Sequence, residues 1–127
     1  MSRRLLFSAI EAPSHPKLSG LYARLGIEEQ PFGSMRKLLA QLKKTQPDYV
    51  VAEFFYGYGN NYAGVNISNL DVMLMSLKKF APEAKVIVFV SKGERQHVDK
   101  LNKILPLHGI CIQPVDPAQV EALLTND

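Results

Sequence analysis

Two unbroken runs of apolar residues constrain the fold of this chain more than any other feature. Tyr49–Phe54 and Val86–Val90 are apolar at nearly every position, not at every second position. A strand with one wet face alternates apolar and polar side chains, whereas a continuous run is typical of a strand that helices cover on both faces. The two runs therefore predict central strands of a parallel sheet.

Helical patterns follow each of the first strands along the chain. Ser34 is placed to cap one helix, and Ser68 with Asp71 forms a Ser-x-x-Asp capping box ahead of another. Alternation of strands with helices is the signature of a sheet with helices on both faces. The apolar positions that define these two helices are Met35, Leu38, Leu39 and Leu42, and then Leu70, Met73, Leu74 and Leu77.

The remaining elements are shorter. Asp116 is placed to cap the last helix, with Pro117 at its first position, where the missing N–H costs nothing. The other predicted elements are a first strand at Leu5–Ile10, a short helix around Lys17–Arg24, a polar edge strand near Gly26–Gln30 on which Glu28 and Glu29 are exposed, a short apolar helix at Val98–Leu105 and a last strand at Gly109–Ile112.

Five strands and five helices in this order predict one α/β domain over residues 1–127. With right-handed crossovers, the arrangement is a three-layer sandwich around a doubly wound five-stranded parallel sheet of order 2-1-3-4-5. Binding and catalytic sites of such sheets lie at the carboxyl ends of the strands. Candidate site residues should therefore follow Ile10, Phe54, Val90 and Ile112.

Composition restricts the classes of partner and cofactor. No run approaches the ~18–20 apolar residues of a membrane span, so we expect a cytoplasmic protein. The single cysteine, Cys111, excludes an intrachain disulfide and is expected to be a buried apolar side chain. The formal charge is only +3, with basic residues in scattered pairs, so we expect no nucleic-acid partner. The three histidines are too dispersed for a metal site, and no cofactor is predicted.

Three landmarks occur in the right order and at the right strand ends to indicate a family. They are Pro47-Asp48-Tyr49-Val50-Val51-Ala52-Glu53, Ala84-Lys85-Val86-Ile87-Val88-Phe89-Val90-Ser91 and Gln113-Pro114. From Pro47 to Leu124 the chain resembles the receiver domain of response regulators, the signalling modules of two-component systems. The resemblance implies a CheY-like, flavodoxin-like fold.

Carried over by position, the resemblance implies a degenerate phosphorylation site. Glu53 falls on the phosphoacceptor aspartate, and Ser91 matches the hydroxyl residue that contacts the phosphoryl group. Gln113 replaces the lysine of the Lys-Pro pair and Pro114 is its retained proline. Glu11 is a single remnant of the acidic pair, and Ile110 occupies the position of the aromatic switch residue.

These substitutions argue against aspartyl phosphorylation. Mg²⁺ needs near-octahedral oxygen ligands anchored by carboxylates, and loss of the acidic pair removes most of that anchor. The extra methylene of Glu53 displaces its carboxylate, and a misplacement of about 1 Å can cost ~100-fold in rate. Gln113 also lacks the positive charge that would stabilise a transferred phosphoryl group.

The sequence leaves three roles open for Glu53. Its carboxylate could imitate a phosphorylated aspartate and hold one conformation. It could instead support the fold alone through hydrogen bonds to Gln113, Ser91 or backbone N–H groups. The third role is that of a catalytic acid or base.

The loop after the third strand concentrates aromatic residues among Gly and Asn. Tyrosines on loops suit recognition because they bury a large area with few rotatable bonds. The loop is also longer than a usual strand-to-helix connection, which favours a functional role. A self-packed loop or a phosphate cradle at Gly57-x-Gly59 are the other interpretations. The candidate interaction surface consists of Tyr56, Tyr58, Asn60, Asn61 and Tyr62.

The predicted function is that of a stand-alone pseudo-receiver with no catalytic residues. It would act through phosphorylation-independent binding of a signalling protein or of an identical subunit. The resemblance also implicates the face around His97–Leu105 and Val115–Leu124 in partner binding. From a different class, the alternative is a small flavodoxin-like enzyme or ligand-binding domain with a pocket at the C-terminal strand ends.

Overall fold

A computed structural model describes residues 4–9, 18–54, 70–113 and 115–125 of the chain. These residues contain a five-stranded sheet of order β2-β1-β3-β4-β5. All four strand pairings are parallel. The predicted sheet and its strand order are therefore confirmed. The strands are β1 (Arg4–Ala9), β2 (Ile27–Pro31), β3 (Tyr49–Glu53), β4 (Lys85–Val90) and β5 (Gly109–Ile112).

Five α-helices connect or follow these strands in the described ranges. The α-helices are α1 (Ser19–Arg24), α2 (Met35–Leu42), α3 (Asp71–Phe80), α4 (Arg95–Val98) and α5 (Pro117–Thr125). The four-residue α4 is flanked by 3-10 turns at Lys92–Glu94 and Asp99–Lys103. The apolar face predicted at Val98–Leu105 therefore exists, but only its first residue belongs to an α-helix.

Two apolar clusters lie on opposite faces of the sheet. The first takes alternate strand residues such as Val50 and Val88 together with the apolar sides of α2, α3 and the α4 region. The second takes the intervening residues, such as Val51 and Phe89, together with α1 and α5. All five residues of β3 are buried, as expected for a strand that is covered on both sides.

Helix caps agree with the sequence at the start of α2 and of α5. Ser34 accepts a hydrogen bond from the Lys37 N–H at 3.2 Å, and Asp116 accepts one from the Ala118 N–H at 2.9 Å. The capping box predicted ahead of α3 stays a prediction, although the helix itself is confirmed and begins at Asp71. Ser68 lies outside the described residues.

The edge strand is less exposed than its charges predict. Glu28 is exposed, but Glu29 is only half-exposed and accepts hydrogen bonds from two serine hydroxyls. The prediction of an edge strand is confirmed, whereas the exposed position predicted for Glu29 is wrong. The side chain of Glu29 is turned toward α1 because its strand neighbour Leu6 faces the second apolar cluster.

Arg4 ties the amino end of the sheet to two helix ends. Its guanidinium donates to the Leu124 carbonyl oxygen and to the Tyr49 hydroxyl, both at 2.9 Å, and more weakly to the Leu25 carbonyl oxygen at 3.4 Å. It also lies 5.7 Å from the centroid of the Tyr49 ring. The last carbonyls of a helix lack partners within the helix, so one cation here satisfies the ends of both α1 and α5.

Close packing between β5 and α5 leaves no room for a side chain at Gly109. A Cβ built on Gly109 would lie 2.7 Å from Cδ2 and 3.0 Å from Cγ of Leu123. These distances are shorter than ordinary van der Waals contact, so a substitution would displace Leu123 or the helix. Gly109 therefore leaves the space beside β5 that the Leu123 side chain of α5 occupies.

We expect Gly109→Ala to lower the free energy of unfolding by about 1–3 kcal/mol, the usual range for overpacking. Denaturant titration monitored by circular dichroism measures the change. Gly20→Ala is the matched control, because nothing lies within 4 Å of its added Cβ. In α1 the control should stabilise by roughly 0.5–1 kcal/mol. Equal stability of Gly109→Ala and the wild type would contradict the packing argument.

Candidate functional site

Glu53 ends β3 at the carboxyl edge of the sheet. It is paired in register with Phe89 of β4 and is only 1% exposed. Removal of a carboxylate from water is costly unless polar groups replace its hydration. The position that the resemblance assigns to the phosphoacceptor therefore holds an almost fully buried acid.

Ser91 and Gln113 follow the two neighbouring strands at the same edge. The Gln113 N–H donates to the Val90 carbonyl oxygen at 2.8 Å, which continues the β4–β5 ladder by one residue. Adjacent strands in a sheet are about 4.8 Å apart, so Ser91 and Gln113 are neighbours. Both side chains are partly exposed.

Strand alternation places these three residues on one face. Val51 and Phe89 belong to the second apolar cluster, and so does Cys111 on β5. Side chains two residues further along a strand point to the same face. Glu53, Ser91 and Gln113 therefore share the face that α1 and α5 cover, as the resemblance implies.

A polar cluster on this face was not predicted from the sequence. The hydroxyl of Ser8 donates to one oxygen of the Glu29 carboxylate at 2.9 Å, and that of Ser19 donates to the other at 2.7 Å. Burial, reinforced by the negative charge of Glu29, raises the pKa of Tyr22. The carboxylate of Glu29, on the edge strand, therefore lies on the strand face beside β1. Two serine hydroxyls already donate hydrogen bonds to it.

The register between β1 and β2 brings Glu29 close to Ser8, and this register could not have been predicted from the sequence. Leu6 pairs with Glu29, so Ser8 lies two residues further along the same face. The only sequence signal was the coincidence of a serine in an apolar strand with acids in the predicted edge strand. Neither pattern specifies which residues are neighbours.

Several predicted site residues lie outside the described residues. They comprise Glu11, Pro114 and the candidate interaction surface of Tyr56, Tyr58, Asn60, Asn61 and Tyr62. Their proposed roles remain predictions. Ile110, at the position of the aromatic switch, is partly buried and packs against the first apolar cluster.

Cys111 lies beneath Gln113 and is fully buried, which confirms the apolar role predicted for it. Burial raises the pKa of its thiol to about 11. Because the thiolate is the nucleophile, a thiol with a raised pKa is unreactive near neutral pH. Cys111 therefore supports the strand and offers no nucleophile to the site.

Two cavities lined by described residues lie at the opposite edge of the sheet, where the strands begin. One has a volume of about 200 Å³ and is lined by Arg4, Asp48, Tyr49, Glu83 and Lys85. A second, of about 280 Å³, adjoins it at Gln46–Asp48 and Ala81–Ala84. The smaller cavity is lined by charges of both signs, and the larger one mainly by turn residues. Neither lining indicates a particular class of ligand.

Metal-ligand clusters and membrane-spanning helices are both absent from the part of the chain that the structure describes. No group of three or more His, Cys, Asp or Glu side chains there could hold a metal ion. No helix in the same residues is long and apolar enough to cross a membrane.

Solved structures with the same architecture include receiver domains. The N-terminal signal receiver domain of a two-component response regulator from Bacteroides fragilis aligns with a TM-score of 0.69 and 13% identity over 98% of this chain and 96% of that chain. The receiver domain of a Francisella response regulator aligns with a TM-score of 0.67 and 12% identity over 94% of this chain and 91% of that chain.

An uncharacterised protein from Neptuniibacter caesariensis is also similar. It aligns with a TM-score of 0.75 and 18% identity over 95% of this chain and 84% of that chain. Neither a family model nor a curated protein matches the sequence. Likeness at such low identity shows the fold alone, and that fold is the receiver fold.

The pKa of Cys111 predicts slow alkylation of the native protein. An unfolded cysteine has a pKa of about 8.5. With the native pKa raised to about 11, the thiolate fraction at neutral to mildly basic pH should be ~100-fold smaller in the native state. Native protein should therefore react with iodoacetamide at least ~100-fold more slowly than protein in guanidinium, as measured by mass spectrometry.

The same shift sets the sign of a pH effect. Stability from the neutral thiol is complete below the unfolded pKa and is lost as pH rises through both values toward 11. Cys111→Ser combined with Lys92→Cys moves the thiol to an exposed position and should restore rapid labelling. Similar labelling rates for the native and unfolded wild type would contradict the burial of this thiol.

Proposed function

We propose that this chain, whose fold is that of a response-regulator receiver, is a signalling module that binds another protein without being phosphorylated. The observation that carries the proposal is Glu53, which is 1% exposed at the position where the resemblance puts the phosphoacceptor. A buried glutamate is a poor acceptor because a phosphodonor and Mg²⁺ must both reach the carboxylate. On this proposal the domain is a binding module and not an enzyme.

The neighbouring residues support the same proposal. Gln113 continues the β4–β5 ladder where receivers have lysine, so the ladder is kept while the positive charge is lost. Ser91 keeps its place at the end of β4. Without that charge, a developing negative phosphoryl group would lack its main electrostatic partner. On this proposal the chain keeps the receiver fold and lacks the side chains that phosphorylation would require.

Glu53 then supplies a permanent negative charge where a receiver acquires one transiently. Its carboxylate shares the strand face with Ser91 and Gln113. Phosphorylation would then not be needed to hold the carboxyl end of the sheet in one conformation. The partner is a signalling protein or a second copy of the chain. The tyrosine loop of residues 55–64 is the proposed contact surface, on the grounds of its aromatic content.

Beryllofluoride, a phosphoryl mimic, tests for loss of the switch without a kinase. We expect an amide NMR titration with Mg²⁺ and then beryllofluoride to produce no clustered shifts at Glu53, Ser91 or Gln113. The reason is that the carboxylate is buried and the lysine is absent. A receiver domain with an intact aspartate and lysine serves as the positive control. Saturable amide shifts around these three residues would contradict the proposal.

Glu53→Gln tests the permanent charge. The variant keeps the side-chain shape, so we expect an unchanged fold by circular dichroism. Partner binding should weaken by about tenfold, or ~1.4 kcal/mol. The measurement is calorimetric titration with a partner recovered by cross-linking from the native organism, or sedimentation if the partner is a second copy. Unchanged affinity would assign Glu53 to support of the fold only.

A further inference from the structure

The exposed side of α2 carries positive charge that no acidic residue offsets. Arg36, Lys37, Lys43 and Lys44 are all exposed, on the helix or in the turn that follows it. The sequence contains no Asp or Glu between Gln30 and Asp48. Within the described residues, no ion pair involves these four side chains. The helix therefore presents a ridge of uncompensated cations to solvent.

Two of these cations occupy positions that destabilise the helix. Ser34 is the N-cap, so Arg36 and Lys37 lie in the first turn, which contains no acidic residue. The amino end of a helix carries partial positive charge, where acids stabilise and bases destabilise. Ser34-x-x-Lys37 also replaces the Glu or Gln of a capping box by a base. Local violations of such rules without an evident gain in stability are expected at functional sites.

The tertiary structure extends the ridge onto α3. Helices α2 and α3 pack together on the same face of the sheet. Lys78 and Lys79 are exposed on α3. Three basic pairs that look scattered in the sequence are therefore gathered on one outer surface, which we call the α2–α3 surface. It comprises Arg36, Lys37, Lys43, Lys44, Lys78 and Lys79, with Val72 and Met75.

The arginines of α1 and α4 are paired. Arg24 of α1 forms an ion pair with Glu121 of α5 at 2.9 Å, and Arg95 forms one with Asp99 at 3.2 Å. The small formal charge of +3 thus hides an uneven distribution. Neither α2 nor α3 carries an exposed acid, and Asp48 and Glu83 lie beyond the ends of these helices, so an acidic partner can supply the charge complement of the cations on α2.

Exposed apolar side chains identify the class of that molecule. Val72 and Met75 are each 51% exposed, one turn apart on α3, beside the cations. Nucleic acid presents charged phosphates and sugars to such a surface and would leave these apolar groups without a complement. An amphipathic protein helix offers both acidic and apolar side chains to a groove or helix face.

We propose that the α2–α3 surface docks an acidic, amphipathic protein segment, whose carboxylates meet the cations of α2 and whose apolar side chains cover Val72 and Met75. The inference rests on the proposed function in one respect, namely that the module acts by binding protein. It differs in the surface used, because α2 and α3 lie on the opposite face of the sheet from Glu53 and α5.

Three probes of matched negative charge distinguish the partner classes. They are a helical peptide of Glu and Leu, a peptide with Ser in place of Leu, and a short DNA duplex. We expect the Glu-Leu peptide to bind about tenfold more tightly than either of the others, with amide shifts on α2 and α3. Added salt should weaken binding because the surface is solvent-exposed.

Arg36→Glu with Lys37→Glu is the decisive variant because it does not weaken the helix. Acids at these positions suit the helix dipole and complete the capping box with Ser34, so the melting temperature should stay equal or rise. Binding of the Glu-Leu peptide should fall by at least about tenfold. Lys92→Glu is the control because Lys92 is exposed and lies outside this surface; it is compared with the single variant Lys37→Glu, which changes the net charge equally.

Val72→Ser with Met75→Ser tests the apolar half of the proposal. It should abolish the preference for Leu over Ser in the peptide and leave the salt dependence intact. Absence of shifts on α2 and α3 at millimolar peptide would overturn the docking surface. Tighter binding of the DNA duplex there would overturn the assignment to a protein. A beryllofluoride response would instead overturn the proposed function and leave the result for this surface standing.

Discussion

The burial of β3 and β4 on both faces is the constraint on which the rest of the structure depends. Parallel strands with continuous apolar sequences require helices on both sides, and these are supplied by α2 and α3 on one face and by α1 and α5 on the other. Both strands then end at one edge, where polar residues can follow. The position of Glu53, Ser91 and Gln113 is therefore a consequence of core formation.

The two helical layers are held to the sheet by different interactions. The α1–α5 layer combines apolar packing with polar ties, namely the Arg4 contacts, the Arg24–Glu121 ion pair and the bonds of Glu29 to two serines. Among the described residues, the α2–α3 layer is held to the sheet by apolar contacts, and Ser34 caps α2. Basic side chains on α2 are consequently not used for structure, and this is why they are available to a partner.

The receiver fold and the phosphorylation chemistry that we propose is absent depend on different parts of the chain. The β4–β5 ladder needs only the backbone of Gln113, and its N–H still bonds to the Val90 carbonyl oxygen. Stabilisation of a phosphoryl group would need the ammonium that glutamine lacks. A domain can therefore keep the receiver scaffold with a different set of side chains at the strand ends. The proposals of a permanent charge at Glu53 and of docking on α2–α3 both build on that separation.

Sequence alone determined the elements, their order and the sheet topology, because apolar periodicity and cap residues such as Ser34 and Asp116 are local signals. It also determined which residues follow each central strand. Only the tertiary structure decided that Glu29 turns inward to Ser8 and that three basic pairs share one surface. Each depends on register or helix packing between residues far apart in the chain, and a local pattern carries no information on such distances.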